Sequence, residues 1–184
     1  MEWSDFNLRQ DFISGHQPPA DAERSFHIVI SDDELLSIDN GEPWRPLDQD
    51  EWRWLGLTAV AEHCLGEVGG IPVFATEVDP ESDEPAGYSF RTLWSFLGRA
   101  EQTAFYLLGR ARQIVEWHNN HQFCGQCGQP THSTDFDRSR QCAPCKQMFY
   151  PRLSPSIIVL VTRGEELLLA RNAHARGDFY STLA

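Results

Sequence analysis

The chain has 184 residues, enough for one ordinary domain or two small ones at roughly 150 residues per domain, and we expect two small units. Its 15 Lys and Arg against 27 Asp and Glu give a net charge of −12, which repels polyphosphate backbones and disfavours non-specific nucleic-acid binding. The first residues have no basic region followed by an apolar one, and no stretch approaches the roughly 18 apolar residues of a membrane helix. We therefore expect a cytoplasmic protein with no membrane partner.

Residues 1–90 are predicted to be mainly β. Residues 26–38 indicate two strands around a polar turn, because Asn40-Gly41-Glu42-Pro43 follows too soon for the helix that a Ser31/Glu34 capping box would begin. Residues 60–68 and 71–78 flank Gly69-Gly70, a dipeptide suited to the positive φ angles of a two-residue turn. We therefore expect two hairpins in this part of the chain.

Residues 99–118 are predicted to form an amphipathic helix, because apolar side chains recur at the spacing of one helical face. These side chains are Ala104, Leu107, Leu108, Ala111, Ile114 and Val115. His118 and His121 follow at helical spacing, and they are candidates either for metal binding or for capping and surface hydrogen bonds. We favour the second interpretation, since a partly protonated imidazole interacts well with the dipole at a helix C-terminus.

Four cysteines form two short pairs, Cys124-x-x-Cys127 and Cys142-x-x-Cys145, with 14 residues between the pairs. This spacing predicts a zinc ribbon, in which two tight turns complete a tetrahedral sulfur cage. Four protein ligands leave no open position, so the zinc should be structural. A disulfide framework and a thioredoxin-like redox pair are the alternatives, and a reducing compartment disfavours disulfides. Cys64 stands apart and is predicted to be a packed thiol.

The chain after the cysteines is predicted to begin a further domain. Prolines in residues 149–155 impose an extended path, and the apolar run 156–162 predicts a buried strand. A turn at 163–166 leads to a second predicted strand over 167–171, and residues 179–184 are again strand-like. Because the sheet partners of these strands are missing, we expect this domain to be incomplete.

The order of these features resembles the zinc-containing NADH pyrophosphatases of the Nudix hydrolase superfamily. The resemblance is close from about Trp117 onward, while residues 1–90 match only in outline. It is carried by the predicted helix, Phe123-Cys124-Gly125-Gln126-Cys127-Gly128, the second cysteine pair, Tyr150-Pro151-Arg152-Leu153-Ser154-Pro155, the apolar strand and the final Leu183-Ala184.

This resemblance implies a Mg²⁺- or Mn²⁺-dependent, homodimeric hydrolase. Its substrate would be NAD(H) or another dinucleotide, split into nicotinamide mononucleotide and AMP, and it would also remove NAD caps from RNA. In that family the next residues form the Nudix box, whose glutamates hold the cations that bridge the pyrophosphate and activate water. The 184 residues stop before such a box, and Glu165 and Glu166 lie in a predicted turn. The piece alone is therefore expected to be inactive, with no catalytic residue of its own.

Four further positions match functional positions of that family. Ala184 matches the residue before the box, whose backbone carbonyl would contact a catalytic cation. Tyr150 matches a tyrosine at the substrate pocket, although a packing role between ribbon and sheet is an equal alternative. Arg91 falls where an arginine of the N-terminal domain would contact the dinucleotide. Asp137 stands at an acidic substrate-contacting position, where the shorter Asp replaces Glu.

The predicted fold class is α+β. We expect a β-rich N-terminal domain over 1–95, a linking helix over 96–122, a zinc ribbon over 123–150, and the first strands of a Nudix α/β/α sandwich over 151–184. The alternative to an NAD(H) pyrophosphatase is a non-enzymatic zinc-ribbon module that binds nucleic acid or a protein, and the net charge disfavours the nucleic-acid form of this alternative.

Overall fold

A computed structural model describes residues 2–174, 177 and 179–183. Contacts within the chain separate it into two units, Met1–Pro151 and Arg152–Ala184. The first unit contains the predicted N-terminal domain, linking helix and ribbon, and the finer division of the chain among them stays a prediction. The predicted α+β class is confirmed, with β-rich sheets, few helices and a small three-stranded ribbon sheet.

The first unit has ten strands and three α-helices among its described residues. The strands are β1 (Phe12–Ser14), β2 (Phe26–Ser31), β3 (Glu34–Ile38), β4 (Leu47–Asp48), β5 (Ala59–Val68), β6 (Ile71–Val78), β7 (Tyr88–Thr92), β8 (Thr131–Ser133), β9 (Arg140–Cys142) and β10 (Met148–Phe149). The helices are α1 (Leu8–Asp11), α2 (Gln49–Leu55) and α3 (Gln102–Asn120), and short 3-10 turns cover Trp3–Asp5 and Leu93–Phe96.

The large sheet has the strand order β1-β5-β6-β2-β3-β7, and β4 pairs with β2. The two predicted hairpins are confirmed as β2–β3 and β5–β6. Gly69 and Gly70 take positive φ angles of 56° and 79° at the second turn, as a two-residue turn requires. The pairing of β2 with β6 is parallel, while the other strand pairs in this sheet are antiparallel. β2 therefore lies inside the sheet, and all six of its residues are buried.

Both faces of β2 are covered because its side chains alternate between two cores. Phe26, Ile28 and Ile30 pack in the larger core, which also contains the buried face of α3. Val29 packs in a smaller core against partly buried residues of α2. His27 is a buried polar residue of this strand, and its pKa is lowered to about 4, mainly by burial.

Helix α3 begins at a side-chain cap. The carboxylate of Glu101 accepts the N–H groups of Thr103 and Ala104, which satisfies two of the free donors of the first turn. Its buried residues repeat at the predicted spacing, so the amphipathic helix is confirmed. None of the helices that the structure describes combines the length and apolarity required to cross a membrane.

The second unit contains little regular structure. Strand β11 (Val161–Arg163) pairs with β12 (Glu166–Leu168), and single bridges join Val159 to Leu183 and Ala170 to Ser181. The prediction of a buried strand over 156–162 is wrong, since its regular part starts only at 161 and the run is exposed. An apolar strand is buried only beneath a second layer, and the described part of this unit forms a two-stranded hairpin with no such layer.

Candidate zinc centre and the predicted substrate residues

The two cysteine pairs lie on turns with the same backbone pattern. The N–H of Gly128 donates to the carbonyl of Cys124 at 2.8 Å, and the N–H of Lys146 donates to the carbonyl of Cys142 at 2.8 Å. Gly128 and Lys146 close these turns with φ angles of 72° and 59°, in the left-handed region. Each turn therefore presents its pair of thiols from one short, hydrogen-bonded loop.

The four thiols are brought together. The Sγ atoms of Cys124, Cys127, Cys142 and Cys145 all lie within 4.8 Å of one another. Cys127 Sγ and Cys142 Sγ are 3.5 Å apart, close to the edge of about 3.8 Å in a tetrahedron with Zn–S bonds of about 2.3 Å. Two of the thiols are buried and Cys127 is exposed. This donor set fits a tetrahedral cation with sulfur ligands.

Hydrogen bonding around the sulfur atoms also suits a bound cation. The N–H of Gln126 donates to Cys124 Sγ at 3.4 Å and is the main cause that lowers the pKa of this thiol to about 7. The pKa of Cys145 is raised to about 12, mainly by a hydrogen bond shared with Cys127. Without a cation, the pKa of Cys124 is thus lowered and those of Cys142 and Cys145 are raised, whereas a divalent cation stabilises all four thiolates together.

Arg140 joins the ribbon to the end of α3. Its guanidinium is buried, with Nε donating to Thr131 Oγ1 at 2.8 Å and to the carbonyl of His121 at 3.1 Å. Nη2 donates to the carbonyl of Thr131 at 2.9 Å and to Gln122 Oε1 at 3.2 Å. Nη1 lies 3.0 Å from His118 Nδ1. Because arginine can only donate, His118 Nδ1 accepts this bond and its proton lies on Nε2.

The interpretation of His118 as a partly charged residue at the helix dipole is therefore wrong. Its pKa is lowered to about 4, first by burial and then by Arg140. The ring of His63 on β5 packs against it with 4.5 Å between centroids. The pKa of His63 is also lowered to about 4, by burial and then by His118. His121 caps α3, and its Nδ1 lies 2.7 Å from the carbonyl of Trp117.

Arg138, like Arg140, uses its guanidinium in contacts within the fold. Arg138 donates from Nη2 to the carbonyls of Gly15 and Cys64, which ties the ribbon to β5 and to the segment after β1. Cys64 is buried and burial raises its pKa, so the predicted packed thiol is confirmed. Sequence analysis missed these contacts because they join residues far apart in the chain, and no local pattern indicates them.

Arg91 lies on β7 and already has a partner. Its Nη2 donates to Asp39 Oδ1 at 2.8 Å, and the Ser89 hydroxyl donates to the same oxygen at 2.7 Å. Arg91 lines an open cleft of about 600 Å³ together with Arg99 and Trp44. The cleft also contains the carboxylates of Asp39 and Glu42, so an anionic ligand would bind its two guanidinium groups in competition with these acids.

The other predicted substrate residues lie on different elements. Asp137 is half-buried in the turn before β9, where its Oδ1 accepts the hydroxyls of Thr134, at 3.0 Å, and Ser139. Tyr150 directly follows β10 and is 52% exposed. Among the described residues, no direct hydrogen bond or ion pair joins Arg91, Asp137 and Tyr150 to one another. Ala184 lies outside the described residues.

Two family models match the chain. Residues 25–117 match the NADH pyrophosphatase-like rudimentary NUDIX domain, and residues 119–150 match the NADH pyrophosphatase zinc ribbon domain. The first range covers the paired strands from β2 to β7 and most of α3, and the second covers both cysteine turns.

Relatives named NAD-capped RNA hydrolase NudC are similar to this chain. The protein from Stutzerimonas stutzeri is 45% identical over 136 residues, which are 74% of this chain and 49% of the relative. That from Pseudomonas putida is 44% identical over 128 residues, 70% of this chain and 46% of the relative. That from Pseudomonas fluorescens is 40% identical over 158 residues, 85% of this chain and 55% of the relative. The chain thus spans about half the length of these curated relatives. In this chain the zinc ribbon of the NADH pyrophosphatases follows the rudimentary NUDIX domain. Since the model of that NUDIX domain covers half of the chain, the chain belongs to the family of the NADH pyrophosphatase-like rudimentary NUDIX domain.

Proposed function

We propose that the whole protein is a hydrolase that splits the pyrophosphate of NAD(H) into nicotinamide mononucleotide and AMP and removes NAD caps from RNA. The observation that carries this proposal is the four-cysteine ribbon directly after a rudimentary NUDIX domain, in a chain 40–45% identical to proteins named NAD-capped RNA hydrolase. The 184 residues would supply the zinc centre and part of the substrate surface.

The zinc centre would have a structural role in this protein. Cys124, Cys127, Cys142 and Cys145 would all bind the ion, which leaves no position for water or substrate. The catalytic cations, Mg²⁺ or Mn²⁺, would neutralise the pyrophosphate and activate water when held by a Nudix box. The glutamate series of such a box does not occur in these 184 residues. This piece by itself should therefore bind zinc and lack hydrolase activity.

Four residues are proposed to reach the substrate or its cation. Arg91 would contact the dinucleotide phosphates after exchanging its bond with Asp39, a step supported by its place in the open cleft. Asp137 would accept a ribose hydroxyl, Tyr150 would stack on a base through its exposed ring, and the carbonyl of Ala184 would contact a catalytic cation. The protein would act in the cytoplasm as a homodimer, for which exposed Trp94 and Leu97 provide apolar surface.

The experiment follows AMP release from NADH with Mg²⁺ or Mn²⁺, for this chain beside a longer chain that continues through a Nudix box. Activity only in the longer chain supports the proposal. Activity in the short chain would mean that the catalytic carboxylates lie within these 184 residues. Activity in neither chain would favour the non-enzymatic zinc-ribbon module, and binding of RNA or of a protein partner would then be measured.

A further inference from the structure

Two histidines and two arginines meet where β5, the end of α3 and the zinc ribbon come together. His63 comes from β5, His118 from α3, and Arg138 and Arg140 from the ribbon. Family membership assigns no role to this cluster, and none of its four residues is a zinc ligand. Three long-range hydrogen bonds beside it hold the ribbon in place. Arg140 donates to His118 on α3, and Arg138 donates to the carbonyls of Gly15 and Cys64.

The geometry accepts these histidines only in their neutral form. Arg140 Nη1 donates to His118 Nδ1 at 3.0 Å, so a proton on Nδ1 would place two donors against each other. The ring of His63 lies 4.5 Å from that of His118, and its Nε2 is buried with no hydrogen-bond partner among the described residues. A proton on either ring therefore adds a charge that this contact does not compensate.

The charged side chains that act on the pKa of the two rings are arginines. From the ribbon, Arg138 and Arg140 both act on His63, and Arg140 acts on His118. The ring of His63 on β5 and the ring of His118 on α3 face each other. On β6 the carboxylate of Glu77 accepts a hydrogen bond from Asn119 at 2.6 Å, beside the helix end, and it does not contribute to either histidine's pKa. Protonation of His63 or His118 would thus bring a further positive charge beside arginines.

We propose that this cluster is a pH-sensitive contact, through which mild acidification releases the zinc ribbon from β5 and α3 while the ribbon keeps its zinc. Release would break the bond from Arg140 to His118 and the bonds of Arg138 to Gly15 and Cys64. The ribbon carries Asp137 and ends at Tyr150, so its release changes the placement of two residues that we assign to the substrate. The contact itself does not depend on that assignment.

The sign of the pH dependence follows from the lowered pKa of both histidines. Each pKa is about 4 in the closed contact and would return to the ordinary value of about 6.5 once the ring is exposed. The open form therefore binds more protons, and the contact is fully stable above pH 6.5 and weakens as the pH falls towards 4. Between pH 7.5 and 5.5 each histidine should raise the opening equilibrium about tenfold, and the two together about 100-fold.

The experiment measures amide hydrogen exchange at Thr131 in the zinc-loaded chain from pH 7.5 to 5.5, corrected for the intrinsic pH dependence of exchange. This N–H donates to the carbonyl of Gln122 at 2.9 Å and reports on the contact between ribbon and helix end. Zinc content is measured in the same samples. His118→Gln keeps an acceptor for Arg140 that does not titrate, and His63→Phe keeps a ring without the unpartnered nitrogen.

The expected result is an opening equilibrium that rises about 100-fold in the unmodified chain, about tenfold in each single variant and hardly at all in the double variant. His132→Gln, at an exposed position on β8, should behave like the unmodified chain. A double variant as pH-sensitive as the unmodified chain would overturn the proposal. So would loss of zinc at the pH where Thr131 opens, because protonation of the cysteines would then explain the release. If His118→Gln weakens folding, His63→Phe alone still gives the tenfold comparison.

Discussion

Arg140 shows how a single charged residue holds two elements together without a carboxylate. The hydrogen-bond partners described for its guanidinium are neutral groups, and burial lowers its pKa. Its position beside the carbonyl of His121, at the end of α3, places a cation where the helix dipole is negative. The dipole and the carbonyl groups of the ribbon thus replace the usual acidic partner.

Replacement of Arg140 by Met should destabilise the ribbon strongly. Methionine fills similar space but removes the arginine donor from the Thr131 carbonyl, Gln122 Oε1 and His118 Nδ1. We expect a loss of about 3 kcal/mol in the free energy of ribbon unfolding. Hydrogen exchange of residues 119–150 in the zinc-loaded protein measures this loss. Arg152→Met, at an exposed position, is the matched control and should change stability by less than about 0.5 kcal/mol. Equal effects of the two changes would contradict this role of Arg140.

The edge of the large sheet depends on a glycine in β5. The register with β6 shifts between Cys64 and Gly66, and β1 pairs with β5 at this point, with Ser14 opposite Gly66. A Cβ atom on Gly66 would lie 2.1 Å from the carbonyl oxygen of Ile13. The shift in register with β6 and the close approach of β1 therefore both require a glycine at position 66.

Gly66→Ala should separate β1 from β5 and lower the stability of the first unit by about 3 kcal/mol, because backbone atoms cannot move aside cheaply. Gly70→Ala is the control, since Gly70 also has a positive φ of 79° but no atom lies within 4 Å of its added Cβ. It should cost only about 1 kcal/mol, the strain of the backbone conformation alone. Urea unfolding of both variants measures the difference, and similar losses would show that the close contact with β1 is unimportant.

Removal of zinc should unfold residues 123–150 and leave the large sheet folded. The ribbon has short strands and little core, so metal binding supplies on the order of 10 kcal/mol of its folding free energy. The large sheet and α3 share a separate hydrophobic core that contains no zinc ligand. Hydrogen exchange before and after treatment with a chelator distinguishes the two regions. Unchanged protection in the ribbon after zinc removal would contradict a metal-dependent fold.

Local patterns predicted the hairpins, the long helix and the cysteine cluster, because each depends on residues close in sequence or on a rigid spacing. Long-range contacts could not be predicted in this way. The bond from Arg138 to Gly15 spans 123 residues, and the parallel pairing of β2 with β6 joins strands from different hairpins. The neutral state of His118 depends on Arg140, and nothing local to the helix indicates this partner. The prediction of a buried strand over 156–162 was wrong because an apolar strand is buried only when a second layer covers it. The sequence pattern of one strand does not indicate whether such a layer is present.

Over the whole molecule, the negative charge is concentrated before the ribbon. Residues 1–118 contain 22 acidic and eight basic residues, while residues 119–184 contain five acidic and seven basic residues. Electrostatic repulsion of a polyanion such as RNA therefore comes mainly from the N-terminal part. This distribution is consistent with the proposed substrate contacts at Asp137 and Tyr150, both in the later part.

Limited proteolysis should divide the chain near residue 152. The unit Arg152–Ala184 exposes apolar side chains such as Leu153 and Ile158 and has only short strands, so its described backbone is poorly protected. The unit Met1–Pro151 has a continuous core and should persist as a stable fragment that retains zinc. Mass spectrometry of the digest identifies the cleavage sites. A first cut within β5 or α3 would contradict the division into these two units.

The most direct test of the account is X-ray absorption at the zinc edge on the purified chain. We predict one shell of four sulfur atoms at about 2.3 Å, unchanged when NADH is added, because four cysteines close the site and leave no place for substrate. A shell with three sulfur atoms and an oxygen or nitrogen atom would contradict the account, because the site would then be open and could take part in catalysis.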